Sequence, residues 1–574
     1  LSELQTQTYD VAIIGGGPSG STTGTLLKKY APELRVAIFE RETFPREHIG
    51  ESLLPTINRV LDEMGVWDKI EAANFPVKIG ATYRWGTSDD LWDFNLLAIE
   101  EVNENDPRPG QYKTWRQRST FQVERAVYDE ILLDHAAENG VEVFENTAVK
   151  KVLNDGIRVE GLLLEDGTKV EAKYYIDCSG NIGILRRALG VPVEEPASLR
   201  NIAIWDHWND AEWAVTVGHG ATRIQIMSLG YGWIWFIPVS PTRTSIGFVC
   251  PAEYYKSAGK RPEELYMEAV RSEPRISKLI AKATPDGDVS ATKDWSFLSE
   301  KMAGENWFLV GECAGFADPI LSAGLTLAHV GAKECAYTIL ALLRGEHSPE
   351  WLLTEFQERQ QNRIRQHIRF ANYWYSANKH FNDLVEYTSE IAKEAGLNLN
   401  AQEAWQWLGT GGFVSHETAG PGLAGHTLEQ IKNLQGVMFQ TQAQWKITQY
   451  NVFELKLQGA EMGDYAIYSA GKIEMTKVYR RGGKTLPVYG GFRIAIEALR
   501  REKKLGPIMT NIRSLSRSVG ELGYLAALEA LENMLQDGWA VGSLRKDKPL
   551  LTPADIPRTP NIDWNRDPVK AEVA

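Results

Sequence analysis

Cysteine is scarce. The 574 residues contain four, at Cys178, Cys250, Cys313 and Cys335, and none stand in C-x-x-C spacing. That excludes a disulfide scaffold and a structural zinc site, and it makes a reducing, cytoplasmic setting the expectation. There is no H-E-x-x-H, and the ten histidines are dispersed, so no zinc-hydrolase site is legible. There is no G-x-S-x-G either, which removes the nucleophile elbow of the serine hydrolases. No apolar run approaches the roughly 18 residues that a membrane span requires. Residues 1–5, LSELQ, offer neither a basic nor an apolar leader region, so no signal peptide is expected. Positive charge is in deficit, with 62 Lys and Arg against 75 Asp and Glu and a formal net charge of −13. Nucleic acid is therefore not an expected partner, and without an apolar span neither is a membrane. Internal repeats and low-complexity tracts are also missing.

What remains is ordinary globular material, 43% hydrophobic and 24% charged, with chain enough for a large core. Eighteen tryptophans leave room for an aromatic-lined pocket. Residues 9–14, YDVAII, form a short apolar run that ends in glycines. Residues 18–30 read as a helix and 35–39, RVAIF, as a second strand, the opening of a doubly wound α/β fold. Strand-like runs recur at 141–144, 161–164 and 174–177. Between 202 and 249 the density of β-branched and aromatic residues predicts an antiparallel sheet, with turns at 218–220 and 230–232. A buried strand at 307–310 and a long helix at 325–343 follow. From about 347 helical periodicity dominates through 402 and again over 513–537. A Gly-rich loop is expected at 410–425 and an extended, Pro-bearing tail from 552.

Residues 15–20, GGGPSG, are G-x-G-x-x-G. Gly15 permits the tight turn, Gly17 lets the backbone approach a pyrophosphate, and Gly20 lets helix and strand pack closely. Pro18 and Ser19 lie at the helix start, where free N–H groups and the helix dipole favour an anion. Glu40 ends the second strand at the spacing of a carboxylate that accepts from an adenosine ribose, with Arg41 beside it. This establishes a nucleotide site without separating FAD from NAD. Residues 311–319, GECAGFADP, separate them. They resemble the second flavin motif of p-hydroxybenzoate-hydroxylase-like flavoproteins. The resemblance implies FAD, with Gly311, Asp318 and Pro319 matching and Glu312 where Asp is usual. It also implies that the helix beginning near Gly324 points its N-terminus at the isoalloxazine. Residues 121–125, FQVER, and 177–180, DCSG, resemble further segments of that fold, the first placing Arg125 near the flavin.

Residues 232–238, GWIWFIP, match the G-W-x-W-x-I-P motif of flavin-dependent halogenases residue for residue. Residues 77–83, VKIGATY, resemble the segment that carries the essential lysine of that family, which points to Lys78. Residues 50–55, GESLLP, and 294–297, DWSF, strengthen the likeness and bring Ser52 in as a cofactor-binding candidate. The resemblance spans roughly 8–345 and is similar to the branch acting on phenols, pyrroles and carrier-tethered groups. It implies that reduced FAD (FADH2), O2 and chloride or bromide yield hypohalous acid, which travels to Lys78 and halogenates an electron-rich substrate. Trp233 and Trp235 would narrow the passage, and backbone amides of Ala323 and Gly324 would seat the halide. Tryptophan halogenases carry a Glu just before Ser322. Here that position is Leu321, which argues for a ring already activated by a hydroxyl or a pyrrole nitrogen.

The expected architecture is α/β: a Rossmann-type FAD-binding domain interleaved with an antiparallel substrate-side sheet over 8–345, then a mainly helical C-terminal region over 346–574. No second G-x-G-x-x-G follows a predicted strand to hold a nicotinamide (the other such string, 420–425, falls in the Gly-rich loop), so a separate NAD(P)H-dependent flavin reductase is expected. From Lys472 to Lys504 there are ten Lys or Arg against Glu474, Glu497 and Glu502. This stretch reads as a solvated face, or as a dock for an acidic carrier protein that bears the substrate. A free small aromatic substrate is equally compatible. An aromatic hydroxylase or an isoprenoid-lipid reductase of the same fold, and a non-catalytic flavin-binding protein, stand as alternatives. His207, near Trp205 and Trp208, reads as a packed or surface residue rather than a base.

Overall fold

The computed structural model describes residues 6–376 and 445–552, apart from parts of 86–118 and positions 219, 294, 483, 518 and 519. The expected helical stretch 377–402, the loop at 410–425, Asp294 and most of the tail lie outside the described residues. The chain divides into two compact units. The first comprises residues 1–85, 90–371 and 468–473, and the second comprises 86–89, 372–467 and 474–574.

The first unit opens as strand, turn, helix and strand: β1 (Thr6–Ile14), α1 (Pro18–Tyr30) and β2 (Val36–Phe39). After β3 (Val77–Arg84), which joins another sheet, α2 (Arg125–Glu138) leads into β4 (Glu142–Phe144). The hairpin β5 (Val149–Asn154) and β6 (Val159–Leu164) and then β7 (Lys169–Asp177) follow. These strands pair in the order β4, β2, β1, β7, β6, β5, and β12 (Trp307–Leu309) adds to β7. β1 runs parallel to β2 and β7, and β12 runs parallel to β7. A parallel sheet is covered on both faces, which is why Val11, Ala12, Ile13 and Ile14 form an unbroken buried run instead of alternating. α1 starts with Pro18 at a position where the missing N–H costs nothing. Its residues Pro18 to Leu27 are all buried. Gly20 is obligatory, because a β-carbon there would collide with the carbonyl oxygen of Gly15.

The second sheet joins β8 (Asn201–Asn209), β11 (Arg243–Pro251), β10 (Gly232–Pro238), β9 (Ala221–Leu229) and β3 in that order. β8 through β9 are antiparallel neighbours, and β3 pairs with β9 in parallel. Alternate residues divide between two environments. Ile202, Ile204, Ile234 and Phe236 enter a hydrophobic cluster with Leu265, Tyr266 and Ile276 from flanking helices. The intervening Ala203, Trp205, Trp233, Trp235 and Ile237 face a cleft. Because both faces are covered, every residue of Gly232–Pro238 is buried. The helices α3 (Gly324–Arg344) and α4 (Pro349–Ser376) complete this unit to Ala371. Glu334 on α3 forms a bidentate ion pair with Arg363 on α4, at 2.8 and 2.9 Å.

The second unit, over its described residues, has three helices, α5 (Gly490–Arg501), α6 (Leu505–Leu515) and α7 (Glu521–Gln536); α7 falls in the helical stretch expected over 513–537, and α5 and most of α6 precede it. Strands stand beside them. β13 (Val452–Leu455) pairs with β17 (Ala540–Ser543), and β14 (Glu461–Ser469), β15 (Lys472–Arg481) and β16 (Lys484–Pro487) form a three-stranded sheet. Phe453, Phe492, Ile496, Leu528, Leu531 and Trp539 are among its core residues. The basic stretch is thus β15, β16 and α5. Several of its cations have partners: Lys477 with Asp464, Lys484 with Asp537, Lys503 with Glu454 and Arg501 with Glu497. Arg481 stacks on Trp539 at 4.3 Å.

Candidate active site

A cleft of about 1060 Å³ opens in the first unit. Ile14, Phe39, Cys178 and Val310, at the carboxyl ends of β1, β2, β7 and β12, line it. That is where open α/β sheets bind ligands. Its volume is at the upper end of the about 300–1,000 Å³ usual for small-molecule pockets.

Most of the residues singled out from sequence meet here. Gly15, Gly17, Pro18, Ser19, Glu40 and Arg41 line the cleft. So do Ser52, Arg125, Glu312 and Pro319, and also Ala323, Gly324, Trp233 and Trp235. Four do not line it. Gly20 packs against the turn at Gly15, and Gly311, at φ +76°, packs against the Ser19 side chain. Asp318 accepts from the Ile320 N–H at 3.0 Å and from Asn201 at 3.2 Å, fixing the turn before α3. Lys78 lies behind Ser52, as described below.

The cradle fits a dinucleotide. A β-carbon on Gly17 would meet only the Arg46 guanidinium, at 3.2 Å. Backbone at the N-terminus of α1 is therefore bare, beside a cation, where a diphosphate needs both. Glu40 receives the Gly16 N–H at 2.7 Å and the Glu42 N–H at 2.9 Å, one on each oxygen. Each oxygen keeps a second lone pair for a ribose hydroxyl.

Arg125 is fixed by Asp129, through bonds of 2.7 and 2.8 Å, and donates to the carbonyls of Ile49 and Gly50 at 2.7 and 3.1 Å. Burial opposes the charge on Asp129, but the guanidinium outweighs it and holds the carboxyl below its ordinary range. His48, in the same wall, is pushed below its usual value by burial and then by the Arg125 charge. Glu312 reaches between Gly180 and Gly324. A β-carbon at either glycine would sit 3.9 Å from one of its oxygens.

Before α3 the chain passes through Ser322 at φ +56°, ψ +32°. A left-handed conformation in a non-glycine residue costs about 1–2 kcal/mol. It turns the chain so that the unbonded first-turn amides of a 21-residue helix start at Ala323 and Gly324 beside the cleft. Those amides and the dipole make a seat for an anion.

The Trp233 and Trp235 rings are 6.0 Å apart and tilted by 53°. Trp85 meets Trp233 edge-on at 6.4 Å. The Trp235 indole N–H donates to Ser245 Oγ at 3.1 Å, and Gly247 on β11 leaves space for its ring.

Lys78 is 4% exposed. Simple alternation along β3 would put it on the opposite face from Ile79, Ala81 and Tyr83. The pairing of β3 with β9 shifts register between Thr222 and Arg223, so that Lys78 stands opposite Thr222 while Ala81 stands opposite Ile224. Thr222 shares a face with Ile224 and Ile226, which line the cleft. The bulge therefore turns Lys78 toward the cleft side. Its Nζ donates to Ser52 Oγ at 2.7 Å and to the Leu53 carbonyl at 3.0 Å. Burial alone pushes its pKa down to about 7.

Sequence reasoning missed the partner of His207. Its Nε2 meets Glu51 Oε1 at 2.6 Å, and Glu51 lines the cleft. Burial opposes the imidazolium, but the carboxylate outweighs it and raises the pKa of the ring. The signal available was the alternation of Ala203, Trp205 and His207 on one face of a strand.

The profile of the FAD binding domain family matches residues 8–371. The 1H-pyrrole-2-carbonyl-[peptidyl-carrier protein] chlorinase of Pseudomonas fluorescens is 30% identical over 393 residues, covering 66% of this chain and 86% of that protein. The chain belongs to the flavin-dependent halogenases. A tryptophan 2-halogenase of Chondromyces crocatus is 32% identical over 345 residues, covering 58% of this chain. The match spans 62% of that relative's own length. Among solved structures, the myxobacterial chondrochloren halogenase is 27% identical with a TM-score of 0.59, covering 75% of this chain and 97% of that one. The flavin-dependent halogenase CmlS shares the fold over 95% of this chain and 98% of its own, with a TM-score of 0.72 at 22% identity. This halogenase is an FAD-dependent oxidoreductase whose family uses halide and O2 as co-substrates. Among the described residues, no helix is long and apolar enough to cross a membrane, and no cluster of His, Cys, Asp and Glu could hold a metal.

Proposed function

We propose that this halogenase passes hypohalous acid to Lys78, which then halogenates an electron-rich ring: a phenol, a pyrrole, or either group tethered to a carrier protein. Reduced FAD, delivered by a separate NAD(P)H-dependent reductase, together with O2 and chloride or bromide, supplies the hypohalous acid. The diphosphate would lie on Gly15, Gly17, Pro18 and Ser19, the ribose on Glu40 beside Arg41, and the ring system against Ser52, Arg125, Glu312 and Pro319. Gly20, Gly311 and Asp318 shape this cradle from behind. The amides of Ala323 and Gly324 would hold the halide. Trp233 and Trp235 would keep the substrate off the flavin, so that oxygen transfer to it is prevented.

The observation that carries the reading is the hydrogen bonding of Lys78. A neutral amine has two N–H donors and one lone pair. Ser52 Oγ and the Leu53 carbonyl account for both donors, which leaves the lone pair to attack the halogen. The N–X bond forms, the O–X bond breaks, and hydroxide leaves as water with the proton displaced from nitrogen. The ring then takes the halogen, and the amine recovers a proton from the attacked ring carbon.

Leu321, at the position where tryptophan halogenases have Glu, supports an activated ring over free tryptophan. The carrier-tethered alternative is supported by the basic residues of β15, β16 and α5, and by the carrier-bound substrate in the name of the Pseudomonas relative. Incubation with FAD, a flavin reductase, NADH, bromide and a panel of free and carrier-tethered phenols and pyrroles should give brominated product by mass spectrometry. Lys78→Ala should abolish the product while FAD still binds. A variant that still brominates overturns the role of the lysine, and absence of product from every class overturns the reading.

A further inference from the structure

Residues 48–50 line the cleft together with Arg125 and Glu312, and they are held from behind. The Ile49 carbonyl accepts twice, from the Arg125 guanidinium at 2.7 Å and from His48 Nδ1 at 2.6 Å. Arg125 also donates to the Gly50 carbonyl at 3.1 Å, and its Nε and Nη2 are on Asp129. Gly50 stands at φ +95°, and a β-carbon there would meet the guanidinium at 3.4 Å. The chain therefore turns just after His48, and the imidazole is tied to the same carbonyl as the buried arginine.

This bond fixes the tautomer. A carbonyl oxygen only accepts, so the ring proton is on Nδ1 and the lone pair is on Nε2. Among the described residues Nε2 has no hydrogen-bond partner, and His48 is only partly buried in the cleft wall. The charged groups around the ring are Arg125, Glu312 and Asp129. Burial and then the guanidinium disfavour the imidazolium, and the two carboxylates do not reverse this. At neutral pH the cleft is therefore met by a neutral ring with a fixed acceptor. Reduction of an isoalloxazine adds hydrogen to ring nitrogens that carry only lone pairs in the oxidised form. An acceptor facing such a nitrogen meets a donor in the reduced cofactor and a second lone pair in the oxidised one.

We propose that His48 is the cofactor contact by which this halogenase tells reduced from oxidised FAD: its Nε2 accepts from a ring N–H that only the reduced isoalloxazine carries. The inference rests on the cleft being the FAD site, and it deepens the reading that reduced FAD arrives from a separate reductase. Such a preference loads the cleft with the form that reacts with O2. The hydrogen bond gained and the lone-pair opposition avoided together favour reduced FAD by about tenfold. For a two-electron couple that raises the potential of the bound flavin by about 30 mV.

The test needs no turnover. The full chain is loaded with FAD and its midpoint potential is measured by anaerobic redox titration at neutral pH. Affinities for oxidised and reduced FAD are measured separately by flavin fluorescence, the reduced form by anaerobic competition. His48→Asn keeps an N–H for the Ile49 carbonyl but has no atom in the place of Nε2. It should lower the potential by about 30 mV and weaken reduced FAD about tenfold, with oxidised FAD bound no more weakly than by the native protein. His48→Gln, whose carboxamide oxygen reaches the place of Nε2, should keep most of the native potential. An unchanged potential in His48→Asn overturns the proposal. Equal weakening of both forms overturns it too, since a structural role or an N–H common to both forms would give that result. Should the asparagine variant fail to fold, His48→Leu, which fills the space of the ring without an acceptor, is expected to show the same fall, and its absence is equally fatal. If the purified chain oxidises NADH unaided, the separate reductase drops out of the reading while the potential still reports on His48.

Discussion

Gly247 lies directly across from Trp235 in the β10–β11 pairing, and a β-carbon on Gly247 would penetrate the indole ring. Trp205 flanks the same glycine from the other side, on β8. The bare backbone lets a tryptophan lie flat across a neighbouring strand in the cleft wall. Gly247→Ala forces the indole away and overpacks the wall, at a cost of about 1–3 kcal/mol. The expected outcome is a lower thermal midpoint, with FAD binding retained and halogenation impaired. Calorimetry and product assay check it, and an unaltered midpoint would show that the ring has room to move.

Asp129 and Arg125 make a second test. Asp129 is completely buried and its charge depends on the guanidinium. Asp129→Ala leaves Arg125 buried without its partner and frees it from the geometry in which it holds the Ile49 and Gly50 carbonyls. Breaking such a pair costs about 3–5 kcal/mol. FAD affinity, measured by flavin fluorescence, should fall along with the thermal midpoint. An affinity equal to that of the native protein would remove Arg125 from the cofactor wall.

How much of this was legible depends on whether the information is local. The turn at residues 15–20, Glu40 and the 232–238 run each carry their constraint within one string: a glycine spacing, a strand end, an aromatic alternation. α1 runs over Pro18–Tyr30 as expected. Relations set by register were invisible. Alternation alone would turn Lys78 away from the cleft, and only the bulge opposite Thr222 and Arg223 reverses it. Glu51 and His207 are 156 positions apart, and neither residue type predicts the other. In the second unit β14 and β15 mix polar and apolar residues with partly solvated faces. Such strands give weak periodic signals, so helical patterns nearby dominated the reading.

Asp537 predicts an acid-dependent stability in the second unit. Burial raises its pKa to about 7, and Lys484 only partly offsets this. Its Oδ2 has no hydrogen-bond partner. The folded state holds the proton more tightly than the unfolded state does. The contribution is therefore fully present below the ordinary Asp value and is lost as pH rises through about 7. Asp537→Asn should exceed the native protein in thermal stability at mildly alkaline pH, by on the order of a few kcal/mol. The advantage should shrink as the solution is acidified. A pH-independent difference between the two proteins would contradict the assignment.

Lys78 gives the pH dependence of the reaction itself. Its amine titrates near 7 because burial penalises the ammonium, with no charged partner contributing. Only the neutral amine has a lone pair for the halogen. Below that pH the active fraction falls about tenfold per unit, and above it the rate levels off. The rate of halogenation, measured with reduced FAD in excess, should therefore rise with pH along a single titration centred near 7. A lysine in ordinary solvent would give a midpoint more than three units higher, near 10.5. Lys78→Arg keeps the positive charge and the length but holds its proton throughout the accessible range, so it should be inactive at every pH. A rate that falls as pH rises through 7 would assign Lys78 instead to the protonated form, as a hydrogen-bond donor to hypohalous acid.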